Sequence, residues 1–215
     1  MQFIYEKEIT PTMEISGDNY KYLFKVRRLS VGDKVNITNF NGTIFTYIIK
    51  SISKKDAILE QIEFFKVEQQ LKPFHIGWCQ IDTKNIEKVL PSLNEMGVTK
   101  ITFIQCDRSQ RNFKIKIDRI EKILINSNQQ CGRVELMEIQ FCENLDKFLT
   151  NYPEAKVLDF GGESISGYFE TAVVGCEGGF TDRERGLFKN RYSFNTPLIL
   201  RSESAVLAVA SKVLL

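Results

Sequence analysis

Apolar residues along this chain recur with two different periods, and the change of period divides it. Across residues 35–40, 43–49 and 57–62 they come in short runs and alternations. Alternation with period two marks strands with one face buried. Asn41-Gly42 separates the first two runs and predicts a hairpin closed by a two-residue turn, because both central residues need positive φ. Short strands at this spacing predict a small barrel. Ahead of them, Asp18 or Asn19 is placed to cap a short helix through Tyr20, Leu23, Phe24 and Arg27. The polar stretch Glu68-Gln69-Gln70-Leu71-Lys72-Pro73 ends the β-rich part, and Pro73 disfavours helix before it. The boundary is expected there, with domains over residues 1–70 and 74–215.

Beyond the boundary, strand-like and helix-like patterns alternate. Residues 75–81 read as a strand. Ile86, Val89, Leu90, Leu93 and Met96 then form one helical face over residues 85–96. Pro91 lies inside that face and predicts a kink or break, and Gly97 is placed to cap the end. A strand at 101–105 follows, and Ile117, Ile120, Ile123 and Leu124 mark a second helix ending near Gly132. A third, short helix is expected at 145–149, and further strands at 156–160, 172–174 and 198–200. Such alternation implies an α/β domain with a parallel sheet and helices on both faces. The chain closes on residues 202–215, which are apolar nearly all round a helix. A helix of that kind must be buried on every side, which points to a subunit interface.

Composition narrows the class. A hydrophobic fraction of 43% and a charged fraction of 26% are ordinary for a soluble globular protein. No apolar run approaches the ~20 residues of a membrane span, and residues 1–10 hold no signal-peptide core, so a cytoplasmic protein is expected. The 5 cysteines show no C-x-x-C spacing, which argues against a disulfide framework or a zinc site and for reduced, mostly buried thiols. No ligand cluster suggests any other metal. The 1 histidine, His75, stands near Trp78 and reads as a packing residue. The net charge of +2 is uneven: residues 19–35 and 100–122 each carry +4. Two basic clusters on a near-neutral chain suggest a localised polyanion site, although solvated faces without a partner give the same pattern.

Seven of the 13 glycines lie between Gly161 and Gly186. They include Val173-Val174-Gly175-Cys176-Glu177-Gly178-Gly179-Phe180, an apolar run meeting a glycine-rich turn with one carboxylate. About twenty residues on comes Leu198-Ile199-Leu200-Arg201-Ser202-Glu203-Ser204-Ala205. Two such ends suggest either a ligand crevice at the edge of a parallel sheet or two ordinary strand-to-helix turns. Neither a phosphate loop nor a dinucleotide fingerprint is present. Cys176 has no neighbouring histidine to make it a nucleophile.

The order and spacing of several motifs resemble the RsmE family of 16S rRNA uridine-N3 methyltransferases, in the SPOUT superfamily. Tyr22-Leu23-Phe24-Lys25-Val26-Arg27-Arg28-Leu29 followed by Gly32-Asp33 is similar to that family's barrel signature. Glu95-Met96-Gly97-Val98, Arg108-Ser109 and Gln130-Cys131-Gly132-Arg133 are similar to its central motifs. Gly175-Cys176-Glu177-Gly178-Gly179-Phe180 and the stretch from Ile199 to Ala205 are similar to its two late ones. The chain departs from the family pattern at Lys21, Arg27, Cys176 and residues 195–198, and is shortened over 159–166.

The resemblance implies a PUA-like RNA-binding β-barrel over residues 1–70. It implies an α/β domain over 74–215 with a deep trefoil knot within about 155–215. It further implies a homodimer that binds S-adenosylmethionine (SAM), the loops after strands at Leu158, Val174 and Leu200 holding the cofactor. Its cofactor residues would be Leu158, Asp159, Gly175, Cys176, Glu177, Gly178, Gly179, Ile199, Leu200 and Ser202. Lys25, Arg27, Arg28, Arg108, Ser109, Arg111, Gln130 and Arg133 would meet RNA. Arg201 would neutralise a phosphate or a developing uracil oxyanion. Glu177 and Glu203 would act as base or brace the loops, bracing being the reading taken. The substrate implied is a uridine in the decoding region of 16S rRNA within the small ribosomal subunit, without metal or membrane. A tRNA ribose 2′-O-methyltransferase of the same superfamily and a non-catalytic RNA-binding protein are the alternatives.

Overall fold

The computed structural model describes residues 3–110 and 115–215. They form two compact units, residues 3–70 with 125–136 and residues 71–110 and 115–124 with 137–215.

In the first unit, β1 (Ile4–Tyr5), β2 (Thr12–Ser16), β3 (Lys34–Thr38), β4 (Thr43–Ile52) and β5 (Asp56–Lys66) form one sheet in the order β1-β3-β4-β5-β2. The expected barrel is therefore a half-barrel: among the described residues β1 and β2 end the sheet and do not pair with each other. Ile15, Leu23, Ile37, Tyr47, Ile49 and Leu59 fill its concave core. The buried Tyr47 hydroxyl donates to the Thr10 carbonyl at 2.6 Å, as a buried phenol requires.

Two local expectations fail here. The β3–β4 hairpin forms, but it is not closed by a two-residue Asn-Gly turn. Ile37 pairs with Phe45, and positive φ falls on Phe40 and Gly42. Side chains explain the longer loop. Thr38 Oγ1 donates to the Thr43 carbonyl and accepts from Phe40 N, and Asn41 Oδ1 accepts from Thr43 N. These bonds replace ladder bonds and favour turns. The short helix begins earlier than expected, as α1 (Gly17–Tyr20), and continues as a π-helix over Lys21–Val26. Asp18 and Asn19 lie inside α1 and do not cap it, and Asn19 Nδ2 donates instead to Tyr5 O and Glu6 Oε1. Residues 125–136 complete this unit: Ile125, Val134 and Leu136 pack with Phe3, Phe40 and Ile44.

The second unit contains β6 (His75–Cys79), α2 (Thr83–Glu95), β7 (Lys100–Ile104), the start of α3 (Ile117–Cys131), β8 (Glu138–Cys142) and α4 (Leu145–Asn151). It continues with β9 (Lys156–Ser164), β10 (Thr171–Val174), α5 (Asp182–Arg185), β11 (Arg191–Ser193) and α6 (Ser202–Leu214). The sheet is parallel throughout, in the order β11-β9-β10-β6-β7-β8. All five residues of β6 are buried, as befits a strand covered on both faces. His75 Nε2 bonds Thr102 Oγ1 at 2.8 Å and its ring packs against Phe148 and Tyr152. Burial first, and then Lys100, push the imidazole down to about 4.

Helix α2 runs unbroken through Pro91, so the expected break is absent. Its ends hold it: the Asp82 side chain accepts from Lys84 N, and beyond the end Gly97 N donates to Asn94 O and Val98 N to Leu93 O. Cys79 and Cys106 are joined in a disulfide, against the expectation of free thiols. Sequence spacing hides the pairing because the neighbouring parallel strands β6 and β7 bring the two Cα atoms to 5.6 Å. Of the free cysteines, Cys176 is buried but Cys131 is exposed. The expected strand at 198–200 is absent. Pro197 precedes an irregular segment in which Leu198 and Ile199 are 72% and 80% exposed, and β11 takes the edge of the sheet instead. A short apolar run alone cannot specify a strand without a ladder partner. Helix α6 buries one face, Val206, Val209, Ala210 and Val213, against α2 and β10. Leu207, Ala208 and Leu214 remain half-exposed.

Candidate active site

Strands β6, β7 and β8 step across the sheet in one direction, while β11, which follows β10, lies on the other side. The order therefore reverses between β6 and β10. Ligands of open α/β sheets sit beyond the strand carboxyl ends at such a switch. A cavity of about 700 Å³ lies there, within the ~300–1,000 Å³ typical of small-molecule sites.

Residues 175–180 leave β10 and fold back at once: Gly179 N donates to Cys176 O at 2.9 Å, with Gly179 at φ +62°. Gly178 lets a neighbour come close. A Cβ there would stand 3.2 Å from Arg108 Cβ, and Arg108 Nη1 donates to the Gly178 carbonyl at 2.7 Å. Arg108 follows β7, so this one bond links two strand-end loops. At the other side of the turn, Ser202 opens α6. Its hydroxyl donates to Gly175 O at 2.5 Å and accepts from the buried Trp78 indole N–H at 2.8 Å.

The third wall comes from β9. The strand does not end near residue 160 as expected but continues to Ser164, and Leu158 and Asp159 lie within it. Its ladder register with β11 jumps from Val157 to Glu163, so residues 158–162 have no ladder position on β11, and Gly162 is instead held by the Ser193 hydroxyl, which donates to its carbonyl at 2.8 Å. Leu158, Asp159 and Phe160 line the cavity. Asp159 receives both arms of Arg185, at 2.7 and 3.3 Å. Each guanidinium nitrogen finds one carboxylate oxygen, the geometry that makes such pairs strong.

The cavity thus collects Leu158, Asp159, Gly175, Cys176, Glu177, Gly178, Gly179, Ile199, Leu200, Arg201 and Ser202, together with Arg108. Glu177 and Arg201 are exposed at it. Burial is the main cause that raises the Cys176 thiol above its ordinary range, which keeps it protonated and makes it a poor nucleophile. Glu203 is elsewhere: it does not line the cavity, and its buried Oε2 has no hydrogen-bond partner among the described residues. Its place in the first turn of α6 suits a carboxylate near a helix N-terminus.

The basic candidates divide. Lys25, Arg27, Arg28 and Gln130 are exposed in the first unit, and Arg28 sits at φ +57°. Two others are not surface groups. Ser109 is 6% exposed and its Oγ accepts from Cys106 N. Arg133 is 5% exposed, and burial is the main cause that lowers its guanidinium. A motif written in sequence cannot tell a side chain that faces solvent from one that closes its own turn. Arg111 lies outside the described residues.

Sequence reasoning missed the residues behind the turn. Glu184 is fully buried and forms a capping box with Thr181 at the start of α5. Asp107, Arg183 and Asp146 are joined by ion pairs at 2.9–3.0 Å. The T-x-x-E spacing from Thr181 to Glu184 is a readable signal for such a box. Nothing local announces Asp159 with Arg185.

Comparison with known proteins adds to this picture. A family described as the RNA methyltransferase domain matches residues 68–214, and one described as the RNA methyltransferase PUA domain matches 15–62. The curated ribosomal RNA small subunit methyltransferase E of Helicobacter pylori is 42% identical over 98% of each chain. The protein of that name from Buchnera aphidicola is 30% identical, over 89% of this chain and 83% of its own. Among solved structures, a probable rRNA methyltransferase from Porphyromonas gingivalis superposes with a TM-score of 0.85 at 19% identity, over 98% of this chain and 96% of its own. The Neisseria gonorrhoeae ribosomal RNA small subunit methyltransferase E, bound to S-adenosyl methionine, superposes with a TM-score of 0.77 at 20% identity, over 98% and 95%. At these identities the structural likeness is one of fold.

Proposed function

The chain belongs to the ribosomal RNA small subunit methyltransferase E family, and from that membership we propose that it transfers a methyl group from SAM to N3 of one uridine in the decoding region of 16S rRNA. The observation that carries the reading is the cavity beyond β10, with its wall of glycine backbone fixed by Arg108 on the Gly178 carbonyl.

The residues present fit SAM. A side chain at Gly178 would meet Arg108, so the turn offers backbone rather than bulk to a ligand. In this reading an adenosine meets the backbone of Gly175, Gly178, Gly179, Ile199 and Leu200, which line the cavity, with Leu158 as an apolar contact. When bound, SAM supplies a methyl on a sulfonium that carries its own leaving group. What remains for the protein is alignment of N3, loss of the N3 proton and stabilisation of the charge that develops on the uracil oxygens. Arg201, exposed at the cavity, faces that charge in this reading. Glu177 stands at the same mouth, and Glu203, in the first turn of α6 and outside the cavity lining, is read as bracing rather than moving the proton.

The same reading assigns residues 1–70 to RNA binding, with Lys25, Arg27 and Arg28 on phosphates, and residues 74–215 to methyl transfer. It includes a trefoil knot within about 155–215, which the passage from β10 across β9 to β11 supports. It also includes a cytoplasmic homodimer, which the half-exposed apolar residues of α6 support. The target base must leave any stack it occupies to reach the methyl. The test is tritiated methyl transfer from SAM to small ribosomal subunits that lack the modification. Label in the 16S rRNA is the expected result; an unlabelled rRNA overturns the reading.

A further inference from the structure

Glu184 is fully buried, yet it does not line the cavity. Its Oε1 accepts from the Asp107 amide and its Oε2 from the Thr181 amide, both at 2.9 Å. Asp107 belongs to the loop after β7 and Thr181 to the loop after β10. Each is one residue from a cavity wall: Arg108 follows Asp107, and Phe180 precedes Thr181. One carboxylate therefore joins the two loops from behind, while Arg108 on Gly178 joins them in front. The Thr181 hydroxyl adds a bond to Asp107 Oδ2 at 2.8 Å. Arg183 spans Asp107 and Asp146 outside, but these groups are 38–52% exposed, and exposed ion pairs contribute little. The carboxylate is the stronger clasp, because Glu184 is itself fully buried and its removal leaves two part-buried amide bonds unmade.

We infer that Glu184 is a positioning residue for the cofactor subsite. Through the amides of Asp107 and Thr181 it sets the distance between Arg108 and the glycine turn, and with it the affinity for SAM, without touching SAM itself. The inference rests on the reading that this cavity takes SAM. A purely structural role would lower the melting temperature and leave the affinity of the folded protein unchanged.

The test is calorimetric titration of SAM into wild type, Glu184→Gln and Thr181→Val, each first shown to be folded by thermal melting. In Glu184→Gln one oxygen becomes an NH₂ group that cannot accept from an amide. The Kd for SAM should rise about tenfold or more. In methyl transfer, KM for SAM should rise in parallel, with kcat at saturating SAM within about twofold of wild type and KM for small subunits unmoved, the pattern of lost uniform binding. Thr181→Val keeps both amide bonds but loses the hydroxyl, and the Kd should rise by about threefold. Folded Glu184→Gln with wild-type affinity overturns the inference. If Glu184→Gln does not fold, Thr181→Val decides, and wild-type affinity there overturns it. Absence of binding heat with wild type overturns the function reading beneath it, and the control alone reveals this.

Discussion

Two loops border the same cavity and are built in opposite ways. Residues 175–186 are tied from within and behind: Gly179 to Cys176, Gly178 to Arg108, Thr181 and Asp107 to the buried Glu184. Residues 194–201 have little of this. Thr196 N donates to Phe194 O and Leu198 N to Thr196 Oγ1, while Leu198 and Ile199 remain 72% and 80% exposed. The difference teaches where pre-organisation lies. One wall of the cavity has its shape set before any ligand arrives, which lowers the ordering cost of binding. The other keeps apolar side chains in solvent and holds its place chiefly through Ser202, which bonds Gly175 and Trp78 at the start of α6.

The comparison can be broken at several points. The largest effect is expected beneath the loop after β7 to which the tied loop is bonded, where the Cys79–Cys106 disulfide adjoins Asp107. A bridge over 27 residues stabilises by about 3–4 kcal/mol in the chain-entropy account. Reduction, or Cys79→Ser, should lower stability by that order in denaturant melts; an unchanged midpoint would show that the bridge is not holding the β6–β7 ends. Next is acid. His75 lies at the start of β6, at the opposite end of the strand from the cavity, with its imidazole lowered to about 4 against about 6.5 unfolded. The unfolded chain binds the proton more readily. Stability is therefore complete above about pH 6.5 and falls as pH drops toward about 4, by at most about 3 kcal/mol. His75→Phe should flatten that limb of the melt against pH, which would place the acid sensitivity away from both loops.

Gly178→Val acts on the tied loop alone. Its side chain would meet Arg108, 3.2 Å away, and displace the Gly178–Arg108 bond. SAM affinity by calorimetry should fall about 10- to 30-fold, or about 1.4–2 kcal/mol, with a small change in melting. The smallest effect is expected at Ile199→Ser, where stability should stay within about 0.5 kcal/mol of wild type. A larger loss would mean that the 194–201 segment is covered in solution, and the contrast between the two loops would fail.

What the sequence disclosed follows the same division. The α/β alternation, the helices near residues 86–96 and 117–131 and the glycine turn were all readable, because period and glycine content are local properties. The disulfide, the run of β9 past Asp159 and the burial of Arg133 were not, because each depends on a neighbour distant in the chain. Residues 198–200 misled for a related reason: three apolar residues look like a strand, but a strand requires a partner with free ladder positions, and β11 holds that edge. Strand β8 (Glu138–Cys142) went unseen because its apolar and polar residues sit on an edge with little burial. Glu184 was legible only as a cap; that its carboxylate reaches Asp107 required the fold.

The central claim, that this cavity delivers a methyl group to a uracil nitrogen, is tested most directly by the position of that methyl group. Small subunits lacking the modification would be incubated with the protein and SAM, and the 16S rRNA digested to nucleosides for mass spectrometry. The account predicts N3-methyluridine, derived from a single position. A ribose-methylated nucleoside, or no methylated nucleoside beyond the untreated control, would contradict it.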